Sequence, residues 1–168
     1  MREMQHTISF LGAPEAVFDF VTTLGHWPRW YPATLAVEGQ TTRPAQAGDT
    51  AIERVRKLGI PGTLHWTVLE SRRPSRFVMQ TTAIDMLLFR RARLWISYDF
   101  MAADGGTRMV RTWRYSTPGL VALVDRIHLH RNLREESDVA LGRLRALVEL
   151  EAQSSVDERF DAARVATI

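Results

Sequence analysis

The chain contains no cysteine, and none of its 168 residues lies in a long apolar run. Without cysteine it can have no disulfide framework, no thiolate metal site and no cysteine nucleophile, and the lack of cysteine fits a reducing compartment. No apolar run approaches the roughly 18 residues that cross a bilayer. The segment Met1–Ile8 lacks the long apolar core of a signal peptide. These absences predict a soluble cytoplasmic protein without stable membrane insertion.

The excess of positive charge is also small, because the chain has 22 basic and 19 acidic residues and a net charge of +3. Lys57 is the only lysine, so arginine, with a pKa above about 12, sets the isoelectric point of 9.9. The arginines are spread along the chain, and pairs such as Arg72-Arg73 and Arg90-Arg91 lie beside turns rather than in a basic block. We therefore expect no nucleic-acid partner.

The order of hydrophobic patterns predicts one α+β domain. A strand at Met4–Phe10 precedes a helix that begins near Pro14 and ends near Gly25, and the aromatic segment His26–Pro32 follows as a second helical piece. Six further strands alternate at period two and are separated by turn residues; we place them at Ala33–Glu38, Asp49–Leu58, Gly62–Arg72, Arg76–Ala83, Arg91–Ala102 and Thr107–Thr117. Short connections favour antiparallel pairing.

A long amphipathic helix is predicted from Pro118 to about Glu151, and the polar residues after Gln153 are expected to fray. The expected architecture is a curved seven-stranded antiparallel sheet wrapped on this helix, with two short helices after the first strand. The domain would cover residues 1–152 and the polar tail residues 153–168.

Alternation also predicts which side chains face the helix. Glu53 is placed inward because two arginines on the opposite face are harder to bury than one carboxylate. The inward set is rich in aromatic residues, which either fill a solid core or line a pocket, since tryptophan and tyrosine need polar partners when buried. The candidate ligand-binding residues of the sheet and the aromatic segment are Trp30, Tyr31, Trp66, Met79, Tyr98, Trp113 and Tyr115.

The apolar stripe of the long helix is interrupted in its middle. Leu120, Leu123 and Ile127 begin the stripe, and Leu141, Leu144 and Val148 end it. Between them the same face carries the polar residues His130, Arg134 and Ser137, which would cost about 1–3 kcal/mol each in a solid core without partners. Either the helix faces a cavity, with Arg134 and Ser137 as ligand contacts, or it is rotated so that His130 lies at a wet edge.

The order and spacing of several short segments resemble the SRPBCC (START-like) superfamily of helix-grip proteins, and most of all its polyketide cyclase/dehydrase branch. The matching segments are Ile8–Val21, Trp27–Pro32, Gly48-Asp49, Trp66–Pro74, Gly105–Val110, Thr117–Gly119 and Leu141–Glu149. The resemblance implies a ligand cavity between sheet and helix, in which related proteins hold lipids, sterols, quinones or polyketides. It supplies no shared catalytic signature, so activity has to be argued from the site.

Two functions remain open. In the first, the cavity takes a polyketide-like or aromatic molecule and catalyses its cyclisation or dehydration: Arg111 holds a carboxylate or polarises a carbonyl, His130 moves a proton, and Glu53 serves as base or as the partner of Arg111. In the second, the protein binds or transfers a lipid, sterol or quinone without catalysis. For Arg111 and Glu53 the plain alternative is an internal ion pair. We expect neither a cofactor nor a metal, since His128 and His130 are two residues apart on a helix and point in different directions.

The run Met86–Phe89 puts four apolar residues beside a turn. It either continues a strand into the core, covers the mouth of the pocket, pairs two subunits as a homodimer, or touches a membrane with Arg90 and Arg91 beside it.

Overall fold

The described part of the chain contains seven strands and three helices. A computed structural model describes residues 1–57, 59–86, 89–116 and 130–165, with the side chains of the last segment described over 134–154. The strands are β1 (Arg2–Phe10), β2 (Thr34–Gly39), β3 (Thr50–Lys57), β4 (Ile60–Arg72), β5 (Arg76–Asp85), β6 (Arg93–Ala103) and β7 (Gly106–Ser116). The helices are α1 (Pro14–Thr22), α2 (Trp27–Trp30) and α3 (His130–Val165), and a 3-10 turn at Leu24–His26 joins the first two.

All seven strands form one antiparallel sheet in the order β1-β7-β6-β5-β4-β3-β2. The sheet is open, with β1 and β2 at its two edges. Register shifts interrupt the β4–β5 pairing between His65 and Trp66 and between Val68 and Glu70. Bulges of this kind bend a strand and increase its twist, which curves the sheet. The predicted α+β fold with a seven-stranded antiparallel sheet is confirmed.

The aromatic segment is fixed to α1 by a side-chain hydrogen bond. Pro14 stands in the first turn of α1, where its missing N–H costs no helical hydrogen bond. At the other end Thr22 Oγ1 donates to Phe18 O at 2.8 Å, and Trp27 Nε1 donates to Val21 O at 3.1 Å. This places Trp27, Trp30 and the residue after α2, Tyr31, in the core beneath the sheet.

The carboxy-terminal helix differs from its prediction. Its expected start at Pro118 lies outside the described residues, as do Leu120, Leu123, Ile127 and His128. The expected end near Glu151 is wrong, because α3 continues to Val165, and the fraying expected after Gln153 stays a prediction. Val148 is the last buried residue of the stripe among the described side chains, whereas residues 149–165 contain neither glycine nor proline and include many good helix formers.

The core lies between the inner face of the sheet and the helices. Helix α3 packs against α2 and β1. It buries one stripe of its described side chains, made of Ser137, Ala140, Leu141, Leu144 and Val148. The predicted inner face of the sheet is buried as well, including Glu53 at 2% exposure and Arg111 at 1%. Two ionisable side chains therefore lie in the middle of an otherwise apolar interior.

Candidate functional site

A cavity of about 100 Å³ lies inside one end of the sheet. It is lined mainly by apolar side chains, and its residues come from the strand ends that the antiparallel register places side by side, as in the pairs Leu64–Ile84, Leu94–Tyr115 and Met4–Trp113. The lining residues are Met4, Tyr31, Ala33, Glu53, Val55, Lys57, Leu64, Ile84, Met86, Phe89, Ala92, Leu94, Trp113 and Tyr115. An apolar hollow with a few polar groups is the usual form of a small-molecule site.

Glu53 is a buried acid with two hydrogen bonds. Its Oε1 accepts a very short hydrogen bond from Thr34 Oγ1, and its Oε2 accepts one of 2.8 Å from Trp66 Nε1. Burial raises the pKa of the Glu53 carboxyl, while these hydrogen bonds and then the charges of Arg111 and Lys57 act in the opposite direction. The three side chains link β3, β4 and the start of β2 across the inner face. A carboxyl with a raised pKa on a cavity wall can hold a proton that an exposed glutamate would release.

Lys57, the only lysine of the chain, also lies on the cavity wall. Its side chain is 14% exposed and its ammonium forms a close ion pair with Glu136 of α3. Burial, followed by the charge of Arg111, lowers the pKa of Lys57 to about 8, and Glu53 acts against that shift. Sequence reasoning placed Glu53 inward but did not single out Lys57. The signal was there, since residues 53, 55 and 57 of one strand share a face.

Arg111 is enclosed by four aromatic rings. Its Cζ lies 4.8 Å from the ring centroid of Trp113, 5.0 Å from that of Tyr31, and 5.6 and 5.7 Å from those of Trp30 and Tyr98. A guanidinium within about 6 Å of an aromatic face is attracted by the ring. Burial raises the pKa of Tyr31 to about 12 and raises that of Tyr98, and the positive charge of Arg111 opposes both shifts.

The charge of Arg111 has no carboxylate beside it among the residues that the structure describes. Glu53 and Arg111 form no ion pair at contact distance, so that alternative is wrong. The carboxyl of Glu53 accepts hydrogen bonds from Thr34 and Trp66 and interacts with the charge of Arg111 at longer range. Among the described residues, the guanidinium atoms Nε and Nη1 and the indole nitrogens of Trp30 and Trp113 are buried without a hydrogen-bond partner. Buried donors are normally satisfied, so this group of polar atoms requires an explanation.

A smaller polar group lies where β1 meets α3. The Nε2 atom of His6 is 3.5 Å from Asp138 Oδ1, and burial, the largest influence, lowers the pKa of His6. Ser137 is 1% exposed and its Oγ has no hydrogen-bond partner among the described residues. Arg134 is exposed. The side chain of His130 lies outside the described ones, although α3 begins at this residue.

The predicted site residues therefore divide between the cavity wall and the packed interior. Tyr31, Trp113, Tyr115 and Glu53 line the cavity. Trp30, Trp66, Met79, Tyr98 and Arg111 are buried in the interior next to it. Their roles in binding and catalysis remain predictions. Within the described residues, no three histidine, aspartate or glutamate side chains converge on one point as a metal site requires.

The apolar run after β5 contributes directly to the cavity. Met86 is 6% exposed, and both Met86 and Phe89 line the cavity, so the two ends of the run form part of the cavity wall. Leu87 and Leu88 lie outside the described residues. Pairing of subunits or contact with a membrane through this run stays a prediction. No helix of the described residues is both long and apolar enough to span a membrane.

An open antiparallel sheet closed over a long carboxy-terminal helix defines the START-like class of folds. The profile of the family described as polyketide cyclase/dehydrase and lipid transport matches residues 1–149, so the chain belongs to this family. The predicted resemblance is confirmed.

Solved structures of low sequence identity share the fold. One is a protein from Thermus thermophilus, with 17% identity and a TM-score of 0.73 over 90% of this chain and 99% of the other. A START superfamily protein from Mycobacterium smegmatis has 16% identity and a TM-score of 0.64 over 86% and 98%. Ara h 8.0201 has 12% identity and a TM-score of 0.64 over 88% and 97%. No curated protein matches the chain by sequence.

Proposed function

We propose that the protein binds a hydrophobic small molecule of the aromatic or polyketide-like class in the cavity at the end of the sheet. The observation that carries this proposal is the cavity itself, whose wall is apolar except for a few polar groups such as Glu53, Lys57 and the phenols of Tyr31 and Tyr115. Family membership supports it, because the family's description names polyketides and lipid transport. The lack of cysteine supports a reducing compartment such as the cytoplasm.

Binding is tested with three neutral probes: 2-acetonaphthone as an aromatic ketone, menadione as a quinone, and 1-decanol as a lipid-like chain. A ligand that binds only the folded protein stabilises it by about 2.7 kcal/mol at a hundredfold excess over its Kd. For a chain of this length, that shift corresponds to a rise in Tm of roughly 5–10 °C. No rise with any of the three contradicts the proposal.

Tryptophan fluorescence locates the bound probe. Trp113 lines the cavity, whereas Trp95 lies on the outer face, where its Nε1 donates to Gln80 at 2.9 Å. A bound quinone should quench Trp113, so Trp113→Phe loses much of the quenching by menadione and the matched variant Trp95→Phe keeps it. The reverse result places the probe outside the cavity and refutes the site.

A catalytic role in cyclisation or dehydration is the second candidate, and the buried carboxyl of Glu53 favours it. A carboxyl whose pKa is raised by burial can act as a general acid or base near neutral pH. If a bound polyketide is turned over, Glu53→Gln, Arg111→Ala or His130→Ala should abolish turnover and leave binding measurable. If these variants change affinity alone, the protein is a carrier.

A further inference from the structure

The side chain of Arg111 carries a buried positive charge that no described carboxylate neutralises. Its exposure is 1%, and two of its three guanidinium nitrogens have no hydrogen-bond partner within the part of the chain that the structure describes. A buried charge is ordinarily paired, because leaving it unpaired is strongly unfavourable. The four surrounding rings offset part of this cost through their faces but supply no negative charge.

The nearby polar groups do not supply the missing anion. Each oxygen of Glu53 already accepts a hydrogen bond, one from Thr34 and one from Trp66. The phenols of Tyr31 and Tyr98 lie within hydrogen-bonding reach of the guanidinium, whose charge and hydrogen bonds oppose the rise in their pKa values. Burial nevertheless raises both pKa values, so the phenols stay neutral and cannot balance the charge.

Two further donors lie beside the guanidinium. The indole nitrogens of Trp30 and Trp113, whose rings pack on Arg111, are buried and find no acceptor in the described residues. The site around Arg111 is therefore rich in N–H donors and poor in charged acceptors, which is the arrangement that recognises an anion.

The other buried cation differs in this respect. Lys57 forms a close ion pair with Glu136, so its charge is balanced within the protein. A ligand anion placed at Lys57 would have to compete with that carboxylate, whereas one placed at Arg111 would not. Of the two cations, Arg111 is the one that has no carboxylate partner among the described residues.

Arg111 does not line the cavity itself but packs against two of its lining residues. Tyr31 and Trp113 both line the cavity and both pack on the guanidinium, so a ligand carboxylate reaches Arg111 when one of these two rings turns aside. We propose that the natural ligand is an apolar carboxylic acid whose carboxylate lies against Arg111 and accepts hydrogen bonds from its Nε and Nη1 atoms. This inference rests on the proposed function and narrows its ligand class to hydrophobic molecules that carry a carboxylate.

The test compares two aromatic probes of nearly equal shape, 2-naphthoate and 2-acetonaphthone, by calorimetry at neutral pH. Hydrogen bonds to a charged group are strong enough that the full-length protein should bind the acid about tenfold or more tightly than the ketone. Arg111→Met removes the charge and keeps an apolar side chain, so the ratio of the two dissociation constants should fall to about one. The matched control Arg114→Met, which removes an exposed arginine of the same strand, should keep the ratio of the parent protein. Lys57→Met is measured as well, to distinguish Arg111 from the cation on the cavity wall.

The outcomes distinguish the anion site at Arg111 from the proposed function. If the parent protein binds acid and ketone equally, the anion site is refuted and the proposed function stands. If Lys57→Met, rather than Arg111→Met, abolishes the preference, the anion lies at Lys57 and the assignment to Arg111 is wrong. If neither naphthyl probe binds while menadione or 1-decanol does, this inference fails and the proposed function stands; if none of the probes binds, both fail. Should Arg111→Met not fold, Arg111→Gln serves instead; it removes the charge and keeps a polar side chain, and an unchanged ratio there overturns the assignment.

Discussion

Filling the cavity from its wall should stabilise the protein and block binding at the same time. Ala33 is 5% exposed and lines the cavity, so Ala33→Leu places three further carbon atoms in it. At about 0.8 kcal/mol for each buried carbon, the gain in the free energy of unfolding is at most about 2 kcal/mol. That gain corresponds to a rise in Tm of roughly 4–8 °C for a chain of this size.

The same change should weaken the binding of 2-acetonaphthone by about tenfold or more, since ligand and side chain compete for one space. Urea denaturation measures the stability and calorimetry the affinity. The matched control is Ala45→Leu. Ala45 is fully buried, does not line the cavity and lies where Ser71 Oγ donates to its carbonyl oxygen, so overpacking there should cost about 1–3 kcal/mol. If Ala33→Leu destabilises the protein as much as Ala45→Leu, the space beside Ala33 does not accept a larger side chain. If Ala33→Leu leaves the affinity for the ketone unchanged, the cavity is not the binding site.

Three further predictions concern single groups. The folded protein holds the proton of Glu53 more tightly than the unfolded chain, so stability from this group is lost as the pH rises above the ordinary pKa of 4.5. Glu53→Gln should therefore gain stability relative to the parent protein in urea melts as the pH rises above that value, and a constant difference would contradict the raised pKa. Reductive ¹³C-methylation of Lys57 should give one side-chain NMR signal that titrates with a pKa of about 8, whereas a midpoint near the ordinary lysine pKa of 10.5 would mean that the amine is solvated. Gly142 is exposed in α3 with open space around it, so Gly142→Ala should stabilise the protein by about 0.5–1 kcal/mol, and a loss in Tm would place Gly142 at an unrecognised contact.

Period-two alternation predicted the direction of the sheet side chains well but not their position along the strands. Trp66, Tyr98 and Trp113 all face inward as expected, yet only Trp113 reaches the cavity, because the hollow lies at one end of the sheet. Alternation states which face a residue occupies, whereas its distance from that end depends on the register between strands. Lys57 could have been found by extending the assignment of Glu53 by four residues along the same strand.

Other features depended on contacts that a local pattern does not contain. The hydrogen bonds of Glu53 come from Thr34 and Trp66, which lie 19 and 13 residues away along the chain. The end of α3 was misplaced because an apolar stripe reports packing, while helix formation continues wherever propensity allows. The predicted role of His130 in proton transfer stays a prediction, because its side chain lies outside the described ones.

The four rings around Arg111 reach it from two separate regions of the chain, Trp30 and Tyr31 after α1 and Tyr98 and Trp113 from the sheet. Since all of them share one partner, the energetic effect of replacing one ring depends on which others remain. Substitutions at these positions should be non-additive, so that a change tolerated in one sequence background is harmful in another. In a variant without the arginine, a change at one ring should therefore depend less on the other three, although Trp30 and Tyr31, and Tyr31 and Trp113, still contact each other directly.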